Sequence, residues 1–363
     1  MSTLIRTSTE LLLGTVSNGF RSFQEEATRL NARSPLYPDK HLRLRVLATE
    51  RASPSLSRTK KSSNKDDFHG TLHALKSKNR VPKKWLGQHY MVNNEINEKL
   101  VECANIQKGD IVLEIGPGTG SLTNSLVEAG AHVIAVEKDP AMAELIMERF
   151  QDSGLVEVVN EDFMKWRIRT SIEYFRNHYS AKGIPFKQIK VVSNLPFNIT
   201  TPVVKRILPM GDIFSSMVLL LQDEAAYRLI DMSPQASNYR SISLFVQFFS
   251  VAQYEMKVSR SNFFPRPNVD GAIISFNIKS ALDYPSVSST KSFFTLVNMA
   301  FAEKRKMLRN SLEHKHPPAK IRNALKSVNL DETARPAELT LDQFVALYNA
   351  LDASKENHPV DCT

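Results

Sequence analysis

Cysteine is nearly absent: Cys103 and Cys362 are the only two in 363 residues. That excludes a disulfide scaffold and a cysteine-based zinc site. No apolar run reaches the roughly 18 residues that a membrane-spanning helix requires. Glycine (13) and proline (18) stand at ordinary levels, which excludes a fibrous or low-complexity chain. Net charge is scarce where it would matter most. The chain carries 47 Lys/Arg and 38 Asp/Glu, a formal +9. Residues 1–80 hold 15 and 7 of these, which leaves 32 and 31 for residues 81–363. The basic excess therefore belongs to the N-terminal segment, and nucleic-acid binding by the rest must rest on local clusters. What is present is enough apolar content, 42%, for a substantial core, at a length that allows two domains.

Residues 1–80 are rich in Ser, Thr and Arg, with Glu10 the single acid before Glu25. Short apolar patches (Leu11 to Leu13, Val46 to Ala48) build no periodic face. The composition fits an organelle transit peptide followed by a polar linker, Ser57 to Lys65 among it. A plain disordered basic arm is the alternative. A secretory signal is excluded, because no adequate apolar stretch follows the basic start.

From residue 81 strands and helices alternate. Ile111–Ile115, His132–Val136, Val156–Val159, Lys190–Ser193 and Met217–Leu221 read as strands. Ser121–Ala129, Pro140–Phe150 and Pro202–Leu208 read as helices between them, Pro140 in the first-turn position where proline is tolerated. The alternation predicts an α/β unit with a parallel sheet. Ile242–Phe249 reads as helical, and Tyr254–Val258 with Ala272–Ile278 as a closing pair of strands. Helices are expected at 291–302, 304–313, 318–327 and 341–351. Residues 167–189 carry Arg167, Arg169, Arg176, Lys182 and Lys187 against Glu173, and read as a solvated loop rather than an RNA-facing insertion. The domain boundaries expected are 1–80 for leader and linker, 81–280 for the α/β domain, 281–353 for a small helical domain and 354–363 for a tail.

The stretch Glu114-Ile-Gly-Pro-Gly-Thr-Gly120 joins a strand to a helix. Glycines there let the backbone turn tightly and approach a ligand closely. Glu137, at the end of the next strand and 21 residues after Gly116, is placed to hold ribose hydroxyls. Asp162 follows the third strand; a lone Asp there is usually a cap or turn residue, and gains meaning from its company. The glycine spacing, at 116, 118 and 120, is not that of a nicotinamide-dinucleotide turn. It resembles the first motif of S-adenosylmethionine-dependent methyltransferases. Asn194-Leu195-Pro196-Phe197 follows the fourth strand and resembles the motif of enzymes that methylate exocyclic amines. An adenine N6 amine delocalises its lone pair into the ring and is a poor nucleophile. The Asn194 oxygen and a backbone carbonyl of the turn can accept its N–H bonds and direct the lone pair at the methyl group, while Phe197 offers a face for the extruded base. Positioning and electrostatics suffice for such a transfer, without a metal or covalent nucleophile.

Taken together, the motifs resemble the ribosomal RNA adenine N6-dimethyltransferase family, the KsgA-like enzymes. The matching segments are Lys84–Met91, Leu113–Gly120, Val136–Asp139, Asn160–Asp162, Ser193–Thr200, Leu221–Glu224, Phe263–Asp270 and Lys304–Ser311. With the leader, the chain looks most like plant plastid members. The resemblance implies a Rossmann-like class I methyltransferase domain with a small C-terminal helical domain that docks on rRNA. It implies S-adenosylmethionine as cofactor, contacted at His89, Met91, Gly116, Gly118, Glu137, Asp162 and Asn194. It implies Asn194, Leu195, Pro196 and Phe197 as the catalytic turn, and Phe197 and Phe263 as a sandwich for the target base. The substrate implied is a pair of adjacent adenosines in the 3′-terminal hairpin of small-subunit rRNA, met on a pre-ribosomal particle in the chloroplast stroma; a monomer is expected of an enzyme that must dock on such a particle. The mitochondrion is the alternative compartment, and a binding or transcription-factor-like relative of the same fold the alternative function. Residue 89 departs from the family pattern: His89-Tyr90 stands where Asn-Phe is usual. Lys304, Arg305, Lys306 and Arg309 lie within two helical turns, so several are expected to share a helix face as an RNA contact; Arg80, Lys83 and Lys84 form another basic group, and Arg260 and Arg266 flank Phe263.

Overall fold

The computed structural model describes residues 89–185 and 188–353. The leader and linker, the cluster Arg80, Lys83 and Lys84, most of the 84–91 motif, Lys187 and the 354–363 tail lie outside the described residues. Among the described residues there are nine strands: β1 (Tyr90–Met91), β2 (Ile111–Ile115), β3 (His132–Glu137), β4 (Val156–Asn160), β5 (Ile189–Asn194), β6 (Phe214–Gln222), β7 (Ser250–Val258), β8 (Phe263–Phe264) and β9 (Gly271–Ile278). Seven of them form one sheet in the order β4-β3-β2-β5-β6-β9-β7. β4 to β6 in that order run parallel, and β9 is antiparallel to both β6 and β7. Sheet and expectation agree, the closing pair included.

The central strand β2 is buried at every position, as a parallel strand covered on both faces must be. Its side chains divide with period two. Ile111, Leu113 and Ile115 join the larger apolar cluster, and Val112 the smaller one on the opposite face. The smaller cluster is closed by α1 (Asn94–Cys103) and α2 (Ser121–Glu128), through Leu100, Leu122 and Leu126. α3 (Pro140–Phe150) follows β3, with Asp139 as its cap accepting from the Ala141 N–H at 3.0 Å.

The segment expected to be a loop contains α4 (Ile168–Ala181). Ile168, Ile172, Phe175 and Tyr179, spaced four, three and four apart, are all at most 3% exposed and belong to the larger cluster. That face decides the matter: Arg169 and Arg176 occupy the exposed side of a core helix. α5 (Thr200–Ile207) follows the Asn194–Phe197 turn, and α6 (Asp223–Ile230) and α7 (Ser241–Phe249) lead to β7.

The C-terminal helices are α8 (Thr290–Ala302), α9 (Leu308–Leu312), α10 (Pro318–Ser327) and α11 (Leu341–Ala353). Their buried residues, among them Phe293, Val297, Leu325, Phe344 and Leu347, continue the sheet's larger cluster without a break. The joint is aromatic: the Phe248 ring lies 5.4 Å from Phe293 and 5.2 Å from Phe294. The helix expected over 304–313 is instead a turn followed by the short α9. Met307 is extended (φ −63°, ψ 142°), which breaks the helix. The break lets Leu308 enter the core, with its N–H donated to the Ala334 carbonyl at 2.8 Å.

If α4 is a core helix, Ile172→Ala should cost about 2–5 kcal/mol, while Asn177→Ala on its exposed side should change stability by less than about 0.5 kcal/mol. Urea unfolding of the purified protein measures both. Equal, small effects would return the segment to a surface loop.

Candidate active site where the central strands part

β2 and β5 are neighbours in the sheet, yet their chains leave it in opposite directions, one toward β3 and one toward β6. Such a switch point opens a crevice at the carboxyl ends of the strands. Val112 pairs with Lys190 and Leu113 with Val191. Further along, the Ser193 hydroxyl accepts the Ile115 N–H at 2.8 Å. A cavity of about 550 Å³ opens beyond that bond. His89, Met91, Gly116, Gly118, Glu137, Asp162, Asn194 and Pro196 all line it. Leu195, Phe197 and Phe263 are not on its wall.

The glycine turn is held in the left-handed region, at φ +69° for Gly116 and +58° for Gly118. The positive φ of Gly118 favours glycine, and a Cβ there would also crowd the Tyr90 ring at 3.0 Å. The Glu137 carboxylate accepts from the Gly118 N–H at 3.3 Å and from the Asp139 N–H at 2.8 Å. Those bonds orient it, and each oxygen keeps acceptor capacity for a vicinal diol. Burial pushes its pKa up. Asp162 accepts from the Met164 N–H at 2.9 Å and pairs with Lys138 Nζ at 2.9 Å, and the lysine holds its carboxyl below the usual range.

Asn194 ends β5, and its side chain has no hydrogen-bond partner among the described residues. Leu195, 2% exposed, anchors the turn by donating its N–H to the Leu220 carbonyl of β6 at 3.1 Å. Pro196 packs toward Gly116, with Cδ 3.9 Å from where a Cβ would be. The Phe197 ring has the His89 imidazole stacked on it, at 5.8 Å between centroids and 30° between planes. His89 Nδ1 is also 2.6 Å from the Pro265 carbonyl. Met91 pairs with Phe263 and Tyr90 with Phe264 in the two-stranded β1–β8 ladder. Phe263 is 4% exposed and meets Phe197 at 70° and 6.5 Å. The two phenylalanines thus form no parallel-walled slot, and the ring facing Phe197 is His89.

The expected basic face is absent. Lys304 Nζ donates to the Ala236 and Ser237 carbonyls, at 3.5 and 3.4 Å, and burial lowers its pKa. Lys306 pairs with Glu303 at 2.7 Å and Arg309 with Glu332 at 3.7 Å. Arg305 is exposed. Residues 304–306 lie in the turn before α9, so the four cations share no helix face, and none lines the cavity.

Three residues contribute that the sequence does not single out as site residues, although Glu114 and Lys138 fall within its motifs. Glu114, 2% exposed, lies in the cavity wall and accepts from Thr123 Oγ1 at 2.6 Å. Burial pushes its pKa up to about 8. An acid within an otherwise apolar strand was the available signal. Arg206 of α5 donates to the carbonyls of Phe163, Met164 and Trp166 and lies over the Phe163 ring at 5.4 Å. It clamps the loop that follows Asp162, a role that only the folded chain displays. Lys138 is the third, exposed but paired with Asp162 at the mouth.

The residues fit a nucleoside with a charged amino-acid end: a diol acceptor at Glu137, with the acid Asp162 after the strand on one side of it and the glycine turn after the strand on the other. Residues 79–353 match the model of the family described as ribosomal RNA adenine dimethylase. The chain is 52% identical over 289 residues to the chloroplastic ribosomal RNA small subunit methyltransferase of Arabidopsis thaliana, covering 80% of this chain and 84% of that protein. It is 37% identical over 277 residues to ribosomal RNA small subunit methyltransferase A of Protochlamydia amoebophila, covering 76% and 93%. Among solved structures it is similar to a dimethyladenosine transferase from Plasmodium falciparum, with TM-score 0.61, 24% identity, and 74% and 98% of the two chains covered. It is also similar to the 23S rRNA methyltransferase ErmE, with TM-score 0.54, 22% identity, and 72% and 99% covered. These two likenesses establish the fold.

Glu114 predicts a pH dependence. Its folded pKa lies above its ordinary value of 4.5, so the stability it contributes is full below that value and is lost as pH rises toward about 8. Glu114→Gln keeps an acceptor for Thr123 and removes the titration. The variant's melting temperature, relative to the parent without ligand, should therefore rise between pH 5 and pH 8. Parallel curves would show that Glu114 ionises freely in the fold.

Proposed function

The chain belongs to the ribosomal RNA adenine dimethylase family, and from that premise we propose that it dimethylates N6 of two adjacent adenosines in the 3′-terminal hairpin loop of a 16S-type rRNA. The proposed setting is a plastid small-subunit particle during assembly, with the enzyme acting as a monomer. That it is an rRNA adenine dimethyltransferase follows from the family; the particular adenosines and the particle are our reading.

The observation that carries it is the unpartnered Asn194 side chain at the cavity wall, on a turn that presents Phe197 beside it. S-adenosylmethionine, when bound, supplies an electrophilic methyl group on a sulfonium. Glu137 receives the ribose hydroxyls, and the clamped 162–164 loop borders the base end. Asn194 Oδ1 and a backbone carbonyl of the same turn accept the two N–H bonds of the target amine. That pulls the nitrogen lone pair out of the ring and aims it into the cavity. Each transfer would form an N–C bond as the sulfonium S–C bond breaks, leaving the neutral thioether S-adenosylhomocysteine, and would release one N–H proton to solvent; the second methyl then goes onto an amine with one N–H left, which one acceptor still orients. For Phe197 to stack the extruded base, the His89 ring must slide aside or become the second wall. Burial of Leu195 keeps the turn from moving with it.

The purified protein, labelled S-adenosylmethionine and small-subunit particles lacking the modification test the reading. Label is expected as dimethyladenosine in the 3′ hairpin. Asn194→Ala should lower the rate about a hundredfold with cofactor binding retained. Glu137→Ala should weaken cofactor binding at least about tenfold. Particle binding and cofactor binding without label would instead favour the binding-module reading.

The plastid location is supported by the chloroplastic relative and the composition of residues 1–80. A fluorescent fusion of residues 1–80 is expected to label plastids, and labelling of mitochondria alone would overturn it.

A further inference from the structure

Asn97 has no part in the roles above. It lies on α1 with 0% of its surface exposed. Its Nδ2 donates to Ser121 Oγ at 2.7 Å. Its Oδ1 is buried and has no hydrogen-bond partner among the described residues. A buried acceptor left unpaired is costly, and native folds seldom keep one without reason. Its place is telling: the side chain belongs to the wall of the cavity, beside Glu114, Ser121 and Leu122, all at most 7% exposed. This is the deep end of the site, remote from the exposed Lys138 at its mouth.

One of the two Asn97 amide hydrogens is given to Ser121, and the Thr123 hydroxyl to Glu114. The Asn97 amide oxygen is left beside a buried carboxyl. A compact donor of positive charge satisfies both. Desolvation keeps Glu114 protonated when it is alone, and a cation lodged beside it would restore the carboxylate.

We propose that Asn97 is a cofactor-binding residue whose Oδ1 accepts a hydrogen bond from the ammonium of the cofactor's amino-acid end. The inference rests on the methyltransferase reading above. It adds a contact from α1 to those of the glycine turn and the acidic strand ends. The polar residue on the buried side of α1 thereby acquires a reason: Leu100 and Ala104 on that side are apolar, and Asn97 breaks the pattern where the ligand is met.

Calorimetric binding of three probes to the purified protein separates the possibilities. They are S-adenosylhomocysteine, its deaminated analogue with hydrogen in place of the amino group, and 5′-methylthioadenosine, which lacks the amino-acid end. Asn97→Leu should weaken S-adenosylhomocysteine about tenfold or more. It should leave 5′-methylthioadenosine unchanged. The deaminated analogue should bind the variant and the parent alike, which locates the coupling at the ammonium. Asn97→Ala repeats the comparison if the leucine prevents folding, as judged by a melting curve. Equal weakening of all three probes would make Asn97 a structural tie between α1 and α2 and overturn the proposal. So would unchanged binding of S-adenosylhomocysteine. Failure of the parent protein to bind any probe would overturn the cofactor reading itself.

Discussion

The parting of β2 and β5 is the constraint on which the rest of the structure depends. Two parallel strands that diverge at their carboxyl ends leave backbone groups without a ladder partner. Here the Ser193 hydroxyl takes the Ile115 N–H, so the split opens without an unsatisfied donor. Each freed chain end then carries half of the chemistry. The β2 side supplies the glycine turn, and the β5 side supplies Asn194 and Phe197. The two sides meet where Pro196 faces Gly116, its Cδ 3.9 Å from where a Cβ would stand.

Around the crevice the carboxylates are treated differently, and burial explains the difference. Glu114 is fully enclosed and raised to about 8. Glu137 is raised too, but is oriented by two N–H donors. Asp162 at the mouth is lowered by Lys138. One cavity therefore runs from a proton-holding interior to an ionised rim. That polarity suits a ligand with a cation at one end and a neutral heterocycle at the other.

Much of this was legible in the sequence, for identifiable reasons. The β2 turn, Glu137 and the Asn194–Phe197 turn sit at strand ends, where local pattern and function coincide. The α4 segment was misread although Ile168, Ile172, Phe175 and Tyr179 repeat at helical spacing, because five cations in the same stretch suggested solvent. Lys304 to Arg309 suggested a face because a helix was assumed through Met307, and the demand of Leu308 for the core broke it. Asn97 reads as an ordinary polar residue of a helix start, and its burial comes only from α2 closing over it. β1 and β8 have two residues each, too few to show any period. Arg206 reaches three carbonyls more than 39 residues away, which no local pattern can announce.

That two-residue ladder has a consequence for the order in which the enzyme is made. His89 and Pro265 touch across 176 positions of sequence, and Tyr90 and Met91 reach their strand partners over nearly the same span. Contacts this remote form late, because the loop they close must first be synthesised and gathered. The sheet from β2 to β6 can assemble from nearer neighbours while the segment bearing His89 and Met91 still waits for β8. A growing chain would thus possess the glycine turn and the Asn194 turn before it possesses the β1–β8 ladder beside them. Catalytic competence arrives with the last strands rather than with the first motif, so a chain stopped short of residue 264 would carry the glycine turn and the Asn194 turn with an open site.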